Sequence, residues 1–325
     1  MNASELLPAQ FNAAGWFVDR NIAEGRGAAP AFQYQDRTLT YADVLELVNR
    51  SGNALLEIGV EPESRVLMLC LDAPEFIGTF WGAIKIGAVP IPTNTLMRTA
   101  DYLYFLNDSR AKVAVVSSAL LAEAGPALAE AKYLKHVLVA GSAPAGFASY
   151  EDRVAKASST LAAAETSRDD PAYWQYSSGS TGFPKGAVHL QHDMVVCSET
   201  YGKQVLGIRP TDRVFSAAKL FFAYGLGATG FLPMSVGAQA MLYPQRPTPE
   251  GVFEAITRYR PTLFFGIPTL FAAMLAVKDA EKRFDASSLR LCVSAGEALP
   301  EELYNRWRER FGVEIVDGIG TTEIG

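Results

Sequence analysis

The sequence predicts an α/β protein made of two lobes, each with a mainly parallel sheet. Three observations predict this class. Short runs rich in Val, Leu and Ile alternate with amphipathic stretches of helical period. The apolar runs are nearly continuous, as in strands that are covered on both faces. A chain of 325 residues with 49% hydrophobic residues can also bury more than one core.

The clearest strands are apolar runs that end at small or polar residues. They are "RVLMLCL", "KVAVVSS", "HVLVA", "TLFFGI", "LRLCVSAG" and "VEIVDG". The sequence therefore predicts strands at 65–71, 112–118, 136–140, 262–267, 289–296 and 313–318.

Two helices have start or stop signals. A helix is predicted over 41–58, where Thr40 and Asp43 have capping-box spacing. A second is predicted over 300–311, where proline suits the first turn and Gly312 suits the end. The stretch "FIGTFWGAIKIGAVPIP" at 76–92 contains one lysine and two prolines, so it predicts a buried helix that runs into a loop.

A polar stretch at 159–170 suggests where the two lobes separate, so we assign about 1–168 to the first lobe and 169–325 to the second. The sequence ends at "GTTEIG", directly after a predicted strand. We expect the chain to be incomplete at its carboxyl end.

Composition excludes several classes of protein. A net charge of −6 argues against a nucleic-acid partner. The first residues contain no basic start and no long apolar run, and no apolar stretch suits a membrane span. We therefore expect a cytoplasmic protein with no membrane partner. The cysteines Cys70, Cys197 and Cys292 match neither a metal spacing nor a disulfide framework, which indicates reduced thiols.

The stretch "YSSGSTGFPKG" at 176–186 is the most informative loop. We predict a glycine-rich turn between a strand and a helix, where free backbone N–H groups and a lysine charge would hold phosphates. A flexible linker is the plainer alternative. Lysine is not followed by Ser or Thr, so this is not a Walker A loop and a kinase-like ATPase is disfavoured. The predicted phosphate-binding residues are Ser177, Ser178, Gly179, Ser180, Thr181, Gly182 and Lys185.

Three motifs in order resemble those of the acyl-adenylate-forming enzymes, the family of acyl- and aryl-CoA ligases, peptide-synthetase adenylation domains and luciferases. "YSSGSTGFPKG" resembles the phosphate loop, "VSAGEALP" at 293–300 the adenine-side loop, and "DGIGTTE" at 317–323 the Tyr-Gly-x-Thr-Glu motif. "SAAKLFFAYGLG" at 216–227 is similar to the segment in benzoate-type aryl-CoA ligases. The resemblance implies the family's large N-terminal domain, without the mobile C-terminal domain that follows it.

The resemblance also implies substrates and roles. The substrates would be ATP, a small aromatic carboxylic acid and CoA, with Mg²⁺ as the metal. Lys185, Thr322 and Glu323 would act in catalysis, and Glu323 would hold the metal. Besides the phosphate loop, the nucleotide would contact Ala295, Gly296, Glu297, Asp317, Gly318, Ile319 and Thr322. The acid would contact Phe222, Ala223, Tyr224, Gly225, Gly320 and Ile324.

Two positions depart from the family pattern. Ile319 stands where the family usually has the tyrosine that lies along adenine, so aromatic stacking is lost. Phe222 stands where a histidine is frequent, which makes that wall apolar. No acidic residue follows Phe221 in this segment, so an α-amino acid substrate is disfavoured.

Several alternatives remain open at this point. The chain could be a nucleotide- or acid-binding module without turnover, or a CoA ligase for another small carboxylic acid. A homodimer is left open. Two interpretations also stay open for the strand residues Phe264, Phe265 and Gly266: they line the cavity that would hold the acid, or they belong to the core. His189 and His192 lack a metal partner at suitable spacing and are interpreted as local structural groups.

Overall fold

A computed structural model of the chain describes residues 7–177 and 182–324. They form two large sheets and one separate hairpin. The strands in chain order are β1 (Pro30–Tyr34), β2 (Arg37–Thr40), β3 (Arg65–Leu69), β4 (Val89–Pro92), β5 (Val113–Ser117), β6 (His136–Ala140), β7 (Ala148–Ser149), β8 (Pro171–Ser177), β9 (Lys185–Leu190), β10 (Arg213–Ser216), β11 (Gln239–Leu242), β12 (Leu263–Gly266), β13 (Leu291–Ser294) and β14 (Ile315–Asp317).

Helices separate most of these strands. The α-helices are Arg20–Ala23, Tyr41–Glu57, Pro74–Lys85, Thr99–Asp108, Leu121–Glu130, Tyr150–Lys156, Asp193–Cys197, Ala223–Gly225, Pro249–Tyr259, Pro268–Leu275, Ala280–Arg283 and Glu301–Phe311. Three π-helical segments lie at Gly15–Asp19, Ser198–Val205 and Leu226–Phe231, and a 3₁₀ turn at Ser118–Leu120.

The first sheet has five strands in the order β4-β3-β5-β6-β7, and all of its pairs are parallel. All five residues of β5 are buried, which is why the run reads as continuously apolar. The proline-containing segment at 89–92, predicted as a loop, is instead strand β4. It lies at the sheet edge, where a proline costs least because it has no N–H to pair.

The second sheet has seven strands in the order β14-β13-β12-β10-β11-β1-β2. Its pairs are parallel except for the hairpin of β1 and β2. The fold class is therefore the predicted α/β class with mainly parallel sheets. The division at residue 168 remains a proposal. The second sheet does not follow it, because β1 and β2 come from the first 40 residues.

The motif at 176–186 begins in β8 and ends in β9, two antiparallel strands that pair from Ser177↔Lys185 to Pro171↔Leu190. The predicted strand before the motif is β8 and a helix does follow, at Asp193, but the strand β9 that lies between the motif and this helix was not predicted. The short run after the loop becomes a strand through its pairing with β8, and pairing with a distant segment has no local signature.

One core joins the two sheets. Phe17, near the amino end, packs on Trp81 from the helix Pro74–Lys85 at 5.1 Å between ring centroids, and on Phe231 at 6.0 Å. Phe80 packs on Tyr173 of β8 at 5.5 Å. These rings are almost fully buried, so they hold the hairpin and both sheets against one another.

The helix termini follow the sequence signals. The helix Tyr41–Glu57 has the predicted capping box, since the Thr40 side chain accepts from the Asp43 backbone and Asp43 accepts from Thr40. The helix Glu301–Phe311 ends at Gly312, whose φ of 71° lies in the left-handed region. Pro300 occupies the N-cap position and not the first turn.

In the described part of the chain, no helix combines the length and the apolar character needed to cross a bilayer.

Candidate active site

A cavity of about 1570 Å³ lies at the carboxyl ends of strands from both large sheets. Loops at this edge are the usual ligand site of parallel α/β sheets, because the backbone changes direction there and leaves space. The volume exceeds that of an ordinary single-ligand pocket, so it suits more than one substrate. Residues from these loops that line the cavity are Leu71, Asp72, Thr95, Leu96, Leu120, Ala217, Ile267, Ala295 and Gly318.

Five of the six predicted acid-binding residues line this cavity: Phe222, Ala223, Tyr224, Gly320 and Ile324. The hydroxyl of Tyr224 lies 3.0 Å from the carbonyl oxygens of both Gly266 and Val293. These contacts hold the ring of Tyr224 at the ends of β12 and β13. The wall is therefore fixed in position by its own tyrosine.

Gly225 is the exception. It is buried and is not one of the cavity residues. A Cβ at this position would lie 2.0 Å from the carbonyl oxygen of Lys219. The predicted contact of Gly225 with the acid therefore stays a prediction. The role of this glycine is to let the turn at 219–225 close on itself.

Gly225→Ala should destabilise the fold by about 1–3 kcal/mol or more, since a backbone carbonyl cannot move aside as a flexible side chain can. Chemical denaturation measures this free energy of unfolding. Gly15→Ala is the matched control, because a Cβ there would meet nothing within 4 Å. Equal stability of the two variants would show that the turn relaxes freely.

Strand β12 contributes only one of its two phenylalanines to the cavity. Phe265 lines it, whereas Phe264 is fully buried and packs on Phe215 and Phe271 on the other face. Successive side chains in a strand point to opposite faces, so a shared role for both was not possible. Gly266 is likewise not among the cavity residues.

The two loops predicted to hold the nucleotide lie side by side. The backbone N–H of Gly318 donates to the carbonyl of Ser294 at 2.8 Å. Asp317 accepts from the backbone N–H of Leu299 at 3.1 Å. Of the predicted nucleotide residues, those lining the cavity are Ala295, Gly296, Gly318, Ile319 and Thr322.

Glu297 and Asp317 are exposed and do not line the cavity, so their contact with nucleotide stays a prediction. Ile319 is 98% exposed although its side chain is large and apolar. This is the position where the family has a tyrosine along adenine, and an exposed aliphatic face there can still pack on a base.

Strands β8 and β9, which we call the phosphate hairpin after the role proposed for their residues, adjoin the loop at 320–324 through His189. Ser177 ends β8 and lies opposite Lys185, the first residue of β9. Ser177 also helps to lower the pKa of the Glu323 carboxyl. Ser177, Gly182, Lys185 and Glu323 are not cavity residues themselves. Ser178, Gly179, Ser180 and Thr181 lie outside the described residues.

Glu323 is an exposed carboxylate with several donors around it. Hydrogen bonds from its own backbone N–H and from the Thr321 hydroxyl lower its pKa, and Ser177 and His189 add to the effect. The group is therefore ionised at neutral pH. Among residues 7–177 and 182–324, no group of three or more His, Cys, Asp or Glu side chains is placed to hold a metal.

A buried ion pair in the cavity wall was not predicted as part of the site. Asp72, 5% exposed, follows β3 and lies 3.8 Å from Nζ of Lys219. Lys219 also donates to the carbonyls of Tyr243 and Gln245. The pair therefore joins the first sheet to the segment after β11. The position of Asp72 at the end of an apolar strand was the available signal.

Burial raises the pKa of Asp72 to about 6 and lowers that of Lys219. Because the folded chain binds this proton more tightly than the unfolded chain, the carboxyl group adds to the free energy of unfolding below pH 3.8, the ordinary pKa. This contribution is lost as the pH rises through 6. Relative to Asp72→Asn, the wild-type chain should therefore lose about 2 kcal/mol of unfolding free energy between pH 4 and pH 7. Denaturant titrations at several pH values measure this, with the exposed substitution Asp152→Asn as the control. A flat difference across this range would contradict the assignment.

The chain belongs to the AMP-binding enzyme family, whose model matches residues 19–325. It is 48% identical over 319 residues to a benzoate–CoA ligase of Thauera aromatica, covering 98% of this chain and 60% of the relative. It is 46% identical to a 4-hydroxybenzoate–CoA/benzoate–CoA ligase of Rhodopseudomonas palustris, covering 97% and 58%. The family resemblance of the three motifs is thereby confirmed.

The fold is also that of solved relatives. An anthranilate CoA ligase in complex with anthranoyl-AMP superposes with a TM-score of 0.96 at 40% identity, covering 99% of this chain and 62% of that one. The chain thus spans about three fifths of the length of the relatives it matches.

Proposed function

We propose that this chain carries the nucleotide- and acid-binding part of an AMP-forming aryl-CoA ligase. The single observation that carries this is the cavity itself. It joins the Phe222–Ala223–Tyr224 wall to the two loops that bear the family's adenine-side and Thr-Glu motifs. The acid and the nucleotide would meet in this one space.

In the first step, the carboxylate oxygen attacks the α-phosphorus of ATP, forming an O–P bond as the bond to pyrophosphate breaks. Ordinary carboxyl groups titrate near pH 4, so the nucleophile is already ionised and needs no general base. The protein has to align the reactants and balance the charge that builds on phosphate oxygens. Thr322 lines the cavity and is suited to the α-phosphate, while Lys185 is suited to the departing phosphates.

Glu323 fits a role in holding Mg²⁺. It is an ionised, exposed oxygen ligand beside the phosphate hairpin. Mg²⁺ with nucleotides is commonly held by one or two carboxylates together with the phosphates, and this needs no larger protein cage. Bound there, the metal would supply positive charge against the phosphate oxygens.

In the second step, the thiol of CoA attacks the acyl carbon of the adenylate. A C–S bond forms, the C–O bond breaks with its electron pair going to AMP, and the thiol proton passes to water. The products are the acyl-CoA thioester and AMP. The size of the cavity leaves room for a third reactant beside the ring and the nucleotide.

A flat aromatic acid such as benzoate fits the wall best. Phe222 and the fixed ring of Tyr224 are apolar surfaces, and Ala223 between them leaves space. Carboxylates that line the cavity already have nitrogen partners: Asp72 has the Lys219 ammonium group, and Asp169 and Asp193 have the ring nitrogens of His192. An α-ammonium group would therefore lose its water without gaining a free partner.

A second reading is binding without turnover. It is favoured by the share of the relatives that the chain spans, about three fifths. A CoA ligase for another small carboxylic acid is a further alternative, because shape selection in an apolar pocket is modest.

Acid-dependent exchange of labelled pyrophosphate into ATP separates these functions. It should be run on the 325-residue chain and on a completed chain, to which the part of the T. aromatica ligase outside the match is appended. We expect benzoate to support exchange in the completed chain, with a long-chain fatty acid and phenylalanine as poor substrates. Binding of MgATP and benzoate without exchange in either chain would support the binding reading.

A further inference from the structure

His189 joins the phosphate hairpin to the loop that carries Thr322 and Glu323. Its Nε2 lies 2.7 Å from the carbonyl oxygen of Thr322, and only 2% of the side chain is exposed. A carbonyl oxygen can only accept, so Nε2 must carry the proton of this hydrogen bond. The contact links residues 133 positions apart in the sequence.

The imidazole is held in place by its own hairpin. Tyr173 on β8 is the cross-strand partner of His189 on β9, and the two rings stack at 4.5 Å with 8° between their planes. Tyr173 in turn packs on Phe80 in the core. Oδ2 of Asp193 lies 3.6 Å from Nδ1, on the side of the ring away from Thr322. The donor is therefore aimed at the loop by packing on rigid neighbours.

On the same hairpin, Ser177 helps to lower the pKa of the Glu323 carboxyl. Other hydrogen bonds within 320–324, in the described part of the chain, are local ones from Glu323 and Ile324 back to Thr321. Ile324 is 73% exposed, so packing holds this stretch only weakly. Its position therefore depends on the hairpin.

Resting on the proposed function, we propose that His189 is a positioning residue. It fixes the position of the Thr322–Glu323 loop relative to the phosphate hairpin. Phosphates bound by the hairpin then lie against the hydroxyl of Thr322 and the carboxylate of Glu323. His189 acts through the backbone of Thr322 and does not touch the nucleotide.

Two amide variants of the 325-residue chain test this and differ in reach. The amide nitrogen of His189→Gln extends to about the position of Nε2 and can still donate to Thr322. The amide of His189→Asn reaches only the position of Nδ1. His189→Phe keeps a ring on Tyr173 and loses the donor. His136→Phe, at an exposed site, is the control for adding an aromatic ring.

Three measurements are made on each variant: the unfolding midpoint, the hydrogen–deuterium exchange of amides at 320–324 without nucleotide, and the Kd for MgATP. We expect the Asn and Phe variants to exchange about tenfold faster at 320–324 and to bind MgATP about tenfold more weakly, the value of one good hydrogen bond. The exchange rate and the Kd of the Gln variant should lie within about threefold of the wild-type values. The control His136→Phe should have wild-type values. Unfolding midpoints of the Gln and Asn variants should agree.

Equal hydrogen–deuterium exchange at 320–324 in the Gln and Asn variants would overturn the proposal. So would a Gln variant that exchanges as fast and binds MgATP as weakly as the Phe variant. If the wild-type chain does not bind MgATP, the proposed function fails. The exchange data still decide whether His189 holds the loop, because they are collected without nucleotide. Faster exchange with an unchanged Kd for MgATP would also overturn the proposal, since the loop would then move without consequence for phosphate binding.

Discussion

Glu323→Gln is expected to lower the rate of adenylation in the completed chain by about 10²- to 10³-fold. Glutamine keeps the shape and the hydrogen-bonding oxygen but removes the charge that would face Mg²⁺. Loss of one group that stabilises charge in the transition state has an effect of this size. Pyrophosphate exchange with benzoate at saturating ATP, repeated over a range of Mg²⁺ concentrations, measures it.

The Mg²⁺ series separates a metal role from a general weakening of the site. If Glu323 helps to hold the metal, the variant should need more Mg²⁺ for half-maximal exchange. Glu309→Gln, on the exposed side of the helix Glu301–Phe311, makes the same chemical change away from the cavity and should behave as wild type. Near-normal exchange by Glu323→Gln at saturating Mg²⁺ and ATP would contradict the assigned role.

Pyrophosphate exchange also tests the role of Lys185, the cationic residue of the phosphate hairpin. Lys185 is exposed and lies opposite Ser177, at the start of β9. Lys185→Ala should mainly raise the KM for ATP and the Kd for pyrophosphate, since the charge is suited to the β- and γ-phosphates. Unchanged constants for both ligands would remove Lys185 from the site.

The sequence was sufficient for features that depend on neighbours in the chain. The apolar run of β5 predicts its own burial, and Thr40 and Asp43 cap a helix three residues apart. The family motifs likewise predict that Ala295 and Thr322 meet in one cavity, and both line it. Each of these inferences needs only local physics or a contiguous motif.

The sequence failed where the answer depended on pairing across long distances. β9 is a strand because β8 lies beside it, and the parallel partner of β1 is β11, which begins some 200 residues later. His189 was interpreted as a local structural group. Its contact with Thr322 crosses 133 positions, and no spacing rule could have indicated it. The Lys219 carbonyl that excludes a Cβ at Gly225 is equally invisible to a motif.

The proposed acid-binding wall, Phe222–Ala223–Tyr224, gives the second large effect, because Ala223→Phe should abolish adenylation of benzoate. Ala223 lies between Phe222 and Tyr224 in the cavity wall. The Tyr224 ring cannot retreat easily, since its hydroxyl bonds the carbonyls of Gly266 and Val293. A phenyl group at 223 would therefore occupy the space needed by the ring of the acid.

The substitution Ala223→Phe should impair binding of the acid and not binding of the nucleotide. Ala223→Phe should leave the Kd for MgATP within about threefold of wild type, because the nucleotide loops at 295–296 and 318–322 are contributed by β13 and β14. Ala223→Gly keeps the space open and serves as the matched control, with graded activity on substituted benzoates because one methylene is worth only about 1–3 kcal/mol. Calorimetric titration with MgATP and exchange assays with a panel of acids measure the two arms. Full activity of Ala223→Phe on benzoate would place the acid elsewhere in the cavity. A completed chain that preferred long-chain fatty acids or α-amino acids would refute the aryl assignment even with adenylation confirmed.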